Sequence, residues 1–226
     1  DPVVSSNTPT NNNRPTWSWD ENEDVVEYEV TLNDVIVSTQ STSEYYVNTD
    51  LSDGNHTLKV RAKDLVGNYS NYTSFSVLID TTPPSVPTPQ TNTPTNNNNP
   101  VWNWVNVVDA ILYEVLIDGV VQGTQTQTSF TKNLSDGEHE IKVRAKDSVG
   151  NYSNYGKHII VVDLKSPNVP IPTAFTPTNN STITWTWSNN NDATEYEVIL
   201  DNVSLGSQTE NTFTASSLAE GEHNIK

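Results

Sequence analysis

Apolar and polar residues alternate over several short stretches of the chain. In the clearest of these, Leu58, Val60 and Ala62 alternate with Lys59, Arg61 and Lys63. A period of two, with long cationic stems on the opposite face, predicts a half-buried β-strand. Ser52-Asp53-Gly54 before it and Asp64-x-x-Gly67-Asn68 after it are turn chemistry, with Asx turns and glycine for positive φ. Ser70 to Asp80 then reads as the returning strand. Upstream, Tyr28 and Val30 alternate with Glu27 and Glu29, which puts these carboxylates on the wet face of another strand.

The stretch from Leu51 to Tyr72 returns almost unchanged from Leu134 to Tyr155, 83 residues on, and a third copy begins at Leu218. Other marks recur in the same order. Thr-Pro-Thr-Asn starts at Thr8, Thr93 and Thr176. A Trp-x-Trp pair follows at Trp17 and Trp19, Trp102 and Trp104, and Trp185 and Trp187. Tyr-Glu-Val comes next at Tyr28, Tyr113 and Tyr196. Asn33-Asp34, Asp118-Gly119 and Asp201-Asn202 are dipeptides that tolerate the positive φ of a tight hairpin. A Thr/Gln/Ser-rich strand ending near an aromatic (Tyr46, Phe130, Phe213) leads into the repeated stretch. These marks divide the chain into an array of three modules. They are residues 1–80, 81–163 and 164–226, the last truncated before its final strand.

Each module then holds about seven short strands with turns at regular intervals, the pattern of a β-sandwich. Composition agrees. The chain has 13 Pro and 9 Gly, which suit strands and turns over helices, while 6 Trp and 9 Tyr supply core area that a 33% hydrophobic content otherwise lacks. The linkers Asp80-Thr-Thr-Pro-Pro-Ser-Val-Pro and Asp163-Leu-Lys-Ser-Pro-Asn-Val-Pro carry prolines that stiffen a joint and favour an extended array.

The formal net charge is −17, from 11 Lys and Arg against 28 Asp and Glu. Such a chain lacks the basic face a nucleic acid requires. It suits solubility and divalent cations instead. With no cysteine there is no disulfide framework or thiolate site. No apolar run approaches the ~18 residues of a membrane-spanning helix. The chain opens in what reads as a linker and ends inside a predicted strand, so it reads as part of a longer repeat protein that continues past Lys226.

The Trp strand, the Tyr-x-Val strand and the Leu-…-Gly-…-Val-x-Ala strand resemble fibronectin type III and bacterial Ig-like modules. The resemblance is strongest to bacterial tandem forms carrying Thr-Pro-Thr, Trp-x-Trp, Tyr-Glu-Val and Gly-x-His-x-Leu-x-Val-x-Ala-x-Asp-x-x-Gly-Asn. It spans modules one and two and module three as far as Lys226. It implies an all-β fold of tandem seven-stranded Ig-like sandwiches in an extended array. One departure stands out. His56, His139 and His223 occupy the place where fibronectin-type modules carry a tyrosine whose hydroxyl braces the preceding turn, a bond imidazole can also donate.

Several residues invite a chemical reading. The Trp pairs lie on one strand face, as a sugar-stacking platform requires, but indoles kept at one place in every module fit a sandwich core better. The histidines stand singly, with no second His or Cys at metal-ligand spacing, which favours a structural hydrogen bond. If His56 and His139 are buried as neutral donors they should carry lowered pKa values and weaken the fold as pH falls. His158 stands where module one has Phe75, which points to packing. Sequons at Asn55, Asn68, Asn71, Asn133, Asn151, Asn179, Asn180 and Asn202 matter only in a host that glycosylates, and Asn68 and Asn151 fit a turn role. No nucleophile–base or cleft-flanking carboxylate pair is visible, so no enzyme is expected.

A calcium site at the junction of modules one and two is a further expectation. In the resembled topology the loop between the last two strands faces the preceding module. Asp147 and Asn151 would then face the linker at Asp80, with Asp109 approaching from the same side. Three carboxylates and an amide oxygen suit a hard cation. Module one repeats the pattern with Asp64, Asn68 and Asp24, near Asp20, and module three has Asp163 and Asp192. The competing reading is a plain Asx-type turn with the linker aspartate exposed.

The expected function is that of a spacer segment of a large extracellular or cell-surface microbial protein: an adhesin stalk, an S-layer or a fibrous assembly. Its partners would be other repeats of the same chain and neighbouring copies in a filament or layer. The alternatives are accessory glycan-binding modules of a secreted polysaccharide-degrading enzyme, or the Ig-like decoration of a viral or phage surface.

Overall fold

A computed structural model describes residues 1–190 and 192–226. The structure divides into two compact units, Asp1–Asp163 and Leu164–Lys226, so modules one and two share the first.

Module one has seven strands: β1 Val4–Ser5, β2 Thr16–Trp19, β3 Val25–Leu32, β4 Val35–Gln40, β5 Glu44–Tyr46, β6 Gly54–Asp64 and β7 Thr73–Ile79. They form a three-stranded sheet, β1-β2-β5, and a four-stranded sheet, β4-β3-β6-β7. The pairings within strands are antiparallel, and a parallel bridge between Thr10 and Ile79 ties the Thr-Pro-Thr-Asn segment to the last strand. Trp17 and Trp19 from one sheet meet Tyr28, Val30, Leu58, Val60, Val77 and Ile79 from the other in a single buried cluster. The alternation seen in the sequence thus sorts β2 and β6 into a core face and a wet face.

Module two repeats this with β8 Val101–Asn103, β9 Leu112–Ile117, β10 Val120–Gln125, β11 Ser129–Thr131, β12 Gly137–Lys146 and β13 Gly156–Val162. Its first strand is reduced to a bridge between Gln90 and Asn103. The sheet β10-β9-β12-β13 covers Trp102 and Trp104 on β8 and the loop that follows it. The second unit has β14 Ile183–Thr186, β15 Tyr196–Leu200, β16 Val203–Gln208 and β17 Thr212–Ala215, with a smaller core around Trp187, Tyr196 and Val198. There the third copy of the repeated stretch starts beside β15, where Ile225 bridges Leu200.

All three Trp pairs lie in the cores. Trp19, Trp104 and Trp187 each meet a tyrosine (Tyr28, Tyr113, Tyr196) edge-on, with centroids 5.5, 5.5 and 5.4 Å apart. That geometry satisfies the quadrupoles of both rings. The hairpins turn through positive φ as expected, at Asn33 (51°) and Asp34 (67°), Asp118 (51°) and Gly119 (78°), and Asp201 (50°) and Asn202 (67°). Beyond each turn, β4, β10 and β16 carry a register shift. A bulge of this kind twists an edge strand away from further pairing. The peptides before Pro9, Pro94 and Pro177 are cis.

The returning strand begins at Thr73, later than Ser70 as the sequence suggested. The cause is a substitution in the ladder. The Ser70 amide donates to the Ala62 carbonyl (2.8 Å), and the Ala62 amide donates to the Ser70 hydroxyl (2.9 Å) where a backbone carbonyl would otherwise accept. Ser153 does the same to Ala145 in module two.

Candidate functional site

The residues that looked most like chemistry gather at the ends of the sandwiches. In the turn between β12 and β13, Asp147 is buried and its Oδ1 accepts from the amides of Val149 (3.0 Å), Gly150 (2.7 Å) and Asn151 (2.8 Å). The Asn151 side-chain amide donates to Asp147 Oδ2 (2.8 Å) and to the Asp80 carbonyl (2.9 Å). Asp64 and Asn68 close the matching turn of module one, and the Asn68 bonds hold the Asp64 carboxyl below its usual range. Of the four residues read as a calcium site, Asp80, Asp147 and Asn151 are therefore brought together. Asp109 lies in the turn before β9, at φ 68°. The oxygens of Asp147 face N–H donors, and Asn151 presents nitrogen to both of its partners. Among the described residues no group of three or more His, Cys, Asp or Glu is placed to hold a metal. The arrangement is an Asx-type turn extended across a module boundary.

The histidines at the start of β6, β12 and the third repeat all brace the preceding turn. Nε2 lies 2.8 Å from the Ser52 carbonyl in His56, 3.0 Å from that of Ser135 in His139, and 2.9 Å from that of Ala219 in His223. Their Nδ1 atoms meet different partners. Asn33 Oδ1 accepts from the Thr57 amide (3.0 Å), so its Nδ2 faces His56 Nδ1 (2.9 Å), which must accept. That ring uses one donor and one acceptor, the neutral form. Asp118 Oδ1 accepts from the Glu140 amide (2.8 Å) and its Oδ2 faces His139 Nδ1 (2.7 Å). Both nitrogens of His139 then face acceptors, which is the imidazolium. Asp201 and His223 repeat the pair at 2.7 Å.

For His139 this corrects the expectation of a lowered pKa. The bond from Asp118 raises that of His139 against the opposing effect of burial, and Asp201 raises that of His223. Burial, the largest single effect, pushes the Asp118 carboxyl up, but the His139 bond, the Glu140 amide and the His139 charge together leave it lowered. His158 lies across from Ile141, as Phe75 lies across from Leu58.

Three features had no place in the sequence reading. Arg61 stacks on Tyr69 (4.0 Å) and Tyr72 (4.8 Å) while pairing with Glu29, and Tyr72 also donates to Glu29. Arg144, Tyr152, Tyr155 and Glu114 repeat this cluster. The Arg61 and Arg144 guanidinium groups hold Glu29 and Glu114 below the usual carboxylate range. Their signal was the fixed spacing of Arg and two Tyr within both copies of the repeat. Second, the Tyr113 hydroxyl accepts from the Val107 amide (2.8 Å) and donates to Asn106 (3.1 Å), closing the loop after the Trp pair. Third, Asp53 grips the linker through Thr81 and Thr82, and those bonds, led by the Thr82 hydroxyl, lower its pKa.

Residues 3–81 match the family model of a bacterial Ig-like domain. Over those residues, which span module one, the sequence is similar to bacterial Ig-like domains. Among solved structures the chain is similar to the fibronectin(III)-like modules of Clostridium thermocellum CbhA, at 20% identity over 71% of this chain and 94% of that one, with a TM-score of 0.47. It is also similar to the central fibronectin-III array of RIM-binding protein, at 17% identity over 95% of this chain and 88% of that one, with a TM-score of 0.28. No curated protein matches the chain.

Proposed function

We propose that this chain is a non-catalytic spacer, a run of Ig-like modules that holds apart other regions of a large extracellular or cell-surface microbial protein such as an adhesin stalk, an S-layer or a fibrous assembly. One observation carries the reading: polar groups of the kinds that do chemistry elsewhere are used here to hold the fold. Asp147 and Asn151 close a turn, Asp118 and His139 tie a hairpin to the next strand, and Glu114 ties Arg144 and Tyr155 across one sheet face. The Ig-like match over residues 3–81 supports the same reading, since this fold serves many proteins as a scaffold.

A glycan-binding accessory role has one observation in its favour. Tyr46, Tyr69 and Tyr72 are 67%, 45% and 43% exposed, and exposed aromatic rings can stack on sugars. Pull-down of the full chain with insoluble polysaccharides and a glycan array tests both. The spacer reading expects no retention. Retention that is lost on changing Tyr69 and Tyr72 to alanine would replace it with the binding reading.

A further inference from the structure

Asp80 ends module one, and each of its polar groups holds the joint. Its amide donates to the Thr10 carbonyl of module one (3.0 Å). Its carboxylate accepts from the Thr82 amide (3.1 Å). Its carbonyl accepts from the Asn151 side chain of module two (2.9 Å). On the module-one side, Asp53 in the turn before β6 takes the next two residues. Oδ1 accepts from the Thr81 amide (2.9 Å) and hydroxyl (2.7 Å), and Oδ2 accepts from the Thr82 hydroxyl (2.6 Å).

The linker then passes directly to module two. Pro83 and Pro84 fix its φ angles. Pro84, Pro87 and Pro89 are buried, and Pro87 lies hard against Gly156 at the start of β13. Beside the linker, the turn of module two approaches the Thr-Pro-Thr-Asn loop of module one, where a methyl on Gly150 would lie 3.5 Å from Asn11 Nδ2.

We infer that Asp53, Asp80 and Asn151 form a latch that grips the linker from both modules and fixes the orientation of module two on module one. Asp53 and Asn151 are positioning residues, acting through the linker backbone. A linker of eight residues with no such bonds would let the modules reorient. Here the charged Asp53 fixes the first residues, buried prolines fix the last, and Asn151 closes the loop across the boundary. Residues Asp1–Asp163 accordingly form one compact unit. The purpose of the latch rests on the spacer reading, because a fixed joint transmits length and direction. Its test reads the joint alone, so a failure of the surface assignment would leave the result standing.

The test is a spin-label distance measurement on the full chain. The protein has no cysteine, so Ser41→Cys and Thr126→Cys, at exposed matching loops of the two modules, introduce a single pair of labels. The parent should give one narrow distance distribution. Thr82→Val, and separately Asp53→Ala with Asn151→Ala, should about double its width, as a linker freed from its contacts does. Thr82→Ser should keep the parent width, and both Thr82 variants should leave the thermal transitions of the modules in place. A broad parent distribution, or a Thr82→Val distribution as narrow as the parent, would overturn the inference. Should the double variant unfold, the Thr82→Val and Thr82→Ser pair decides, since neither changes a residue of a turn within a module.

Discussion

Gly156 is the residue at which module two depends most directly on its linker. A methyl added there would lie 1.6 Å from the Pro87 carbonyl oxygen, 2.8 Å from the Pro87 carbonyl carbon and 3.3 Å from Val86 Cγ1. Ordinary contact needs about 3.5 Å, so Gly156→Ala requires a shift of roughly 2 Å between strand and linker. The obstructing atoms are backbone, with no rotamer to relieve the clash. Three residues on, Gln90 and Asn103 exchange backbone hydrogen bonds of 2.8 and 3.0 Å, which pin the linker to β8. Overpacking of this kind costs about 1–3 kcal/mol. For a module of this size that lowers Tm by roughly 4–24 °C. Hydrogen exchange with mass spectrometry during thermal unfolding separates the modules, because peptides from β6–β7 and β12–β13 report on each. The loss should be confined to module two. Thr73→Ala, at the corresponding place in module one, should stay within about 0.5 kcal/mol of the parent. An unchanged module-two transition in Gly156→Ala would refute the close packing of the linker.

Asp118→Asn tests the His139 ion pair. The folded pKa of His139 is raised, so its contribution is full below the unfolded value near 6.5 and fades as pH rises through the folded value, while the lowered Asp118 loses its share in acid. With Asp118 47% exposed, the parent should exceed the variant by about 0.5–1 kcal/mol near pH 5.5 and by less at pH 8.5, read from urea midpoints. Tyr113→Phe should destabilise module two by about 1–3 kcal/mol in denaturant unfolding, because it strands the Val107 amide without its acceptor. Calorimetric titration of calcium into the full chain should give no saturable heat, since N–H donors already face the Asp147 oxygens; saturable binding abolished by Asp147→Asn would restore a cation site.

Much of the fold was legible because the informative residues are apolar and spaced by strand period. The Trp pairs and the Leu58, Val60 and Ala62 series could face a core in only one register, and the hairpin dipeptides fixed where each edge strand begins. The start of β7 was misplaced because a serine hydroxyl stands in for a carbonyl, which no periodicity records. The linker grip was also hidden. Asp53 reads as part of a Ser-Asp-Gly turn, and only the fold shows that the turn lies beside Thr81 and Thr82, 28 and 29 residues on.

The histidine site shows how far a near-identical repeat can mislead. His56 and His139 stand in stretches that match almost residue for residue, which suggested one role and one charge state. The deciding residue lies outside the stretch, in the hairpin turn more than twenty residues earlier, where module one has Asn33 and module two has Asp118. The two side chains have nearly the same shape, and both accept the backbone amide that follows the histidine (Thr57 or Glu140) at nearly the same distance. They differ in what they offer the ring. An amide nitrogen can only donate, and a carboxylate oxygen can only accept. One exchange therefore turns an uncharged brace into an ion pair without moving the backbone, and it reverses the pH response that burial alone implies. Reading charge from a repeat requires the residue across the sheet as well as the residue in the motif.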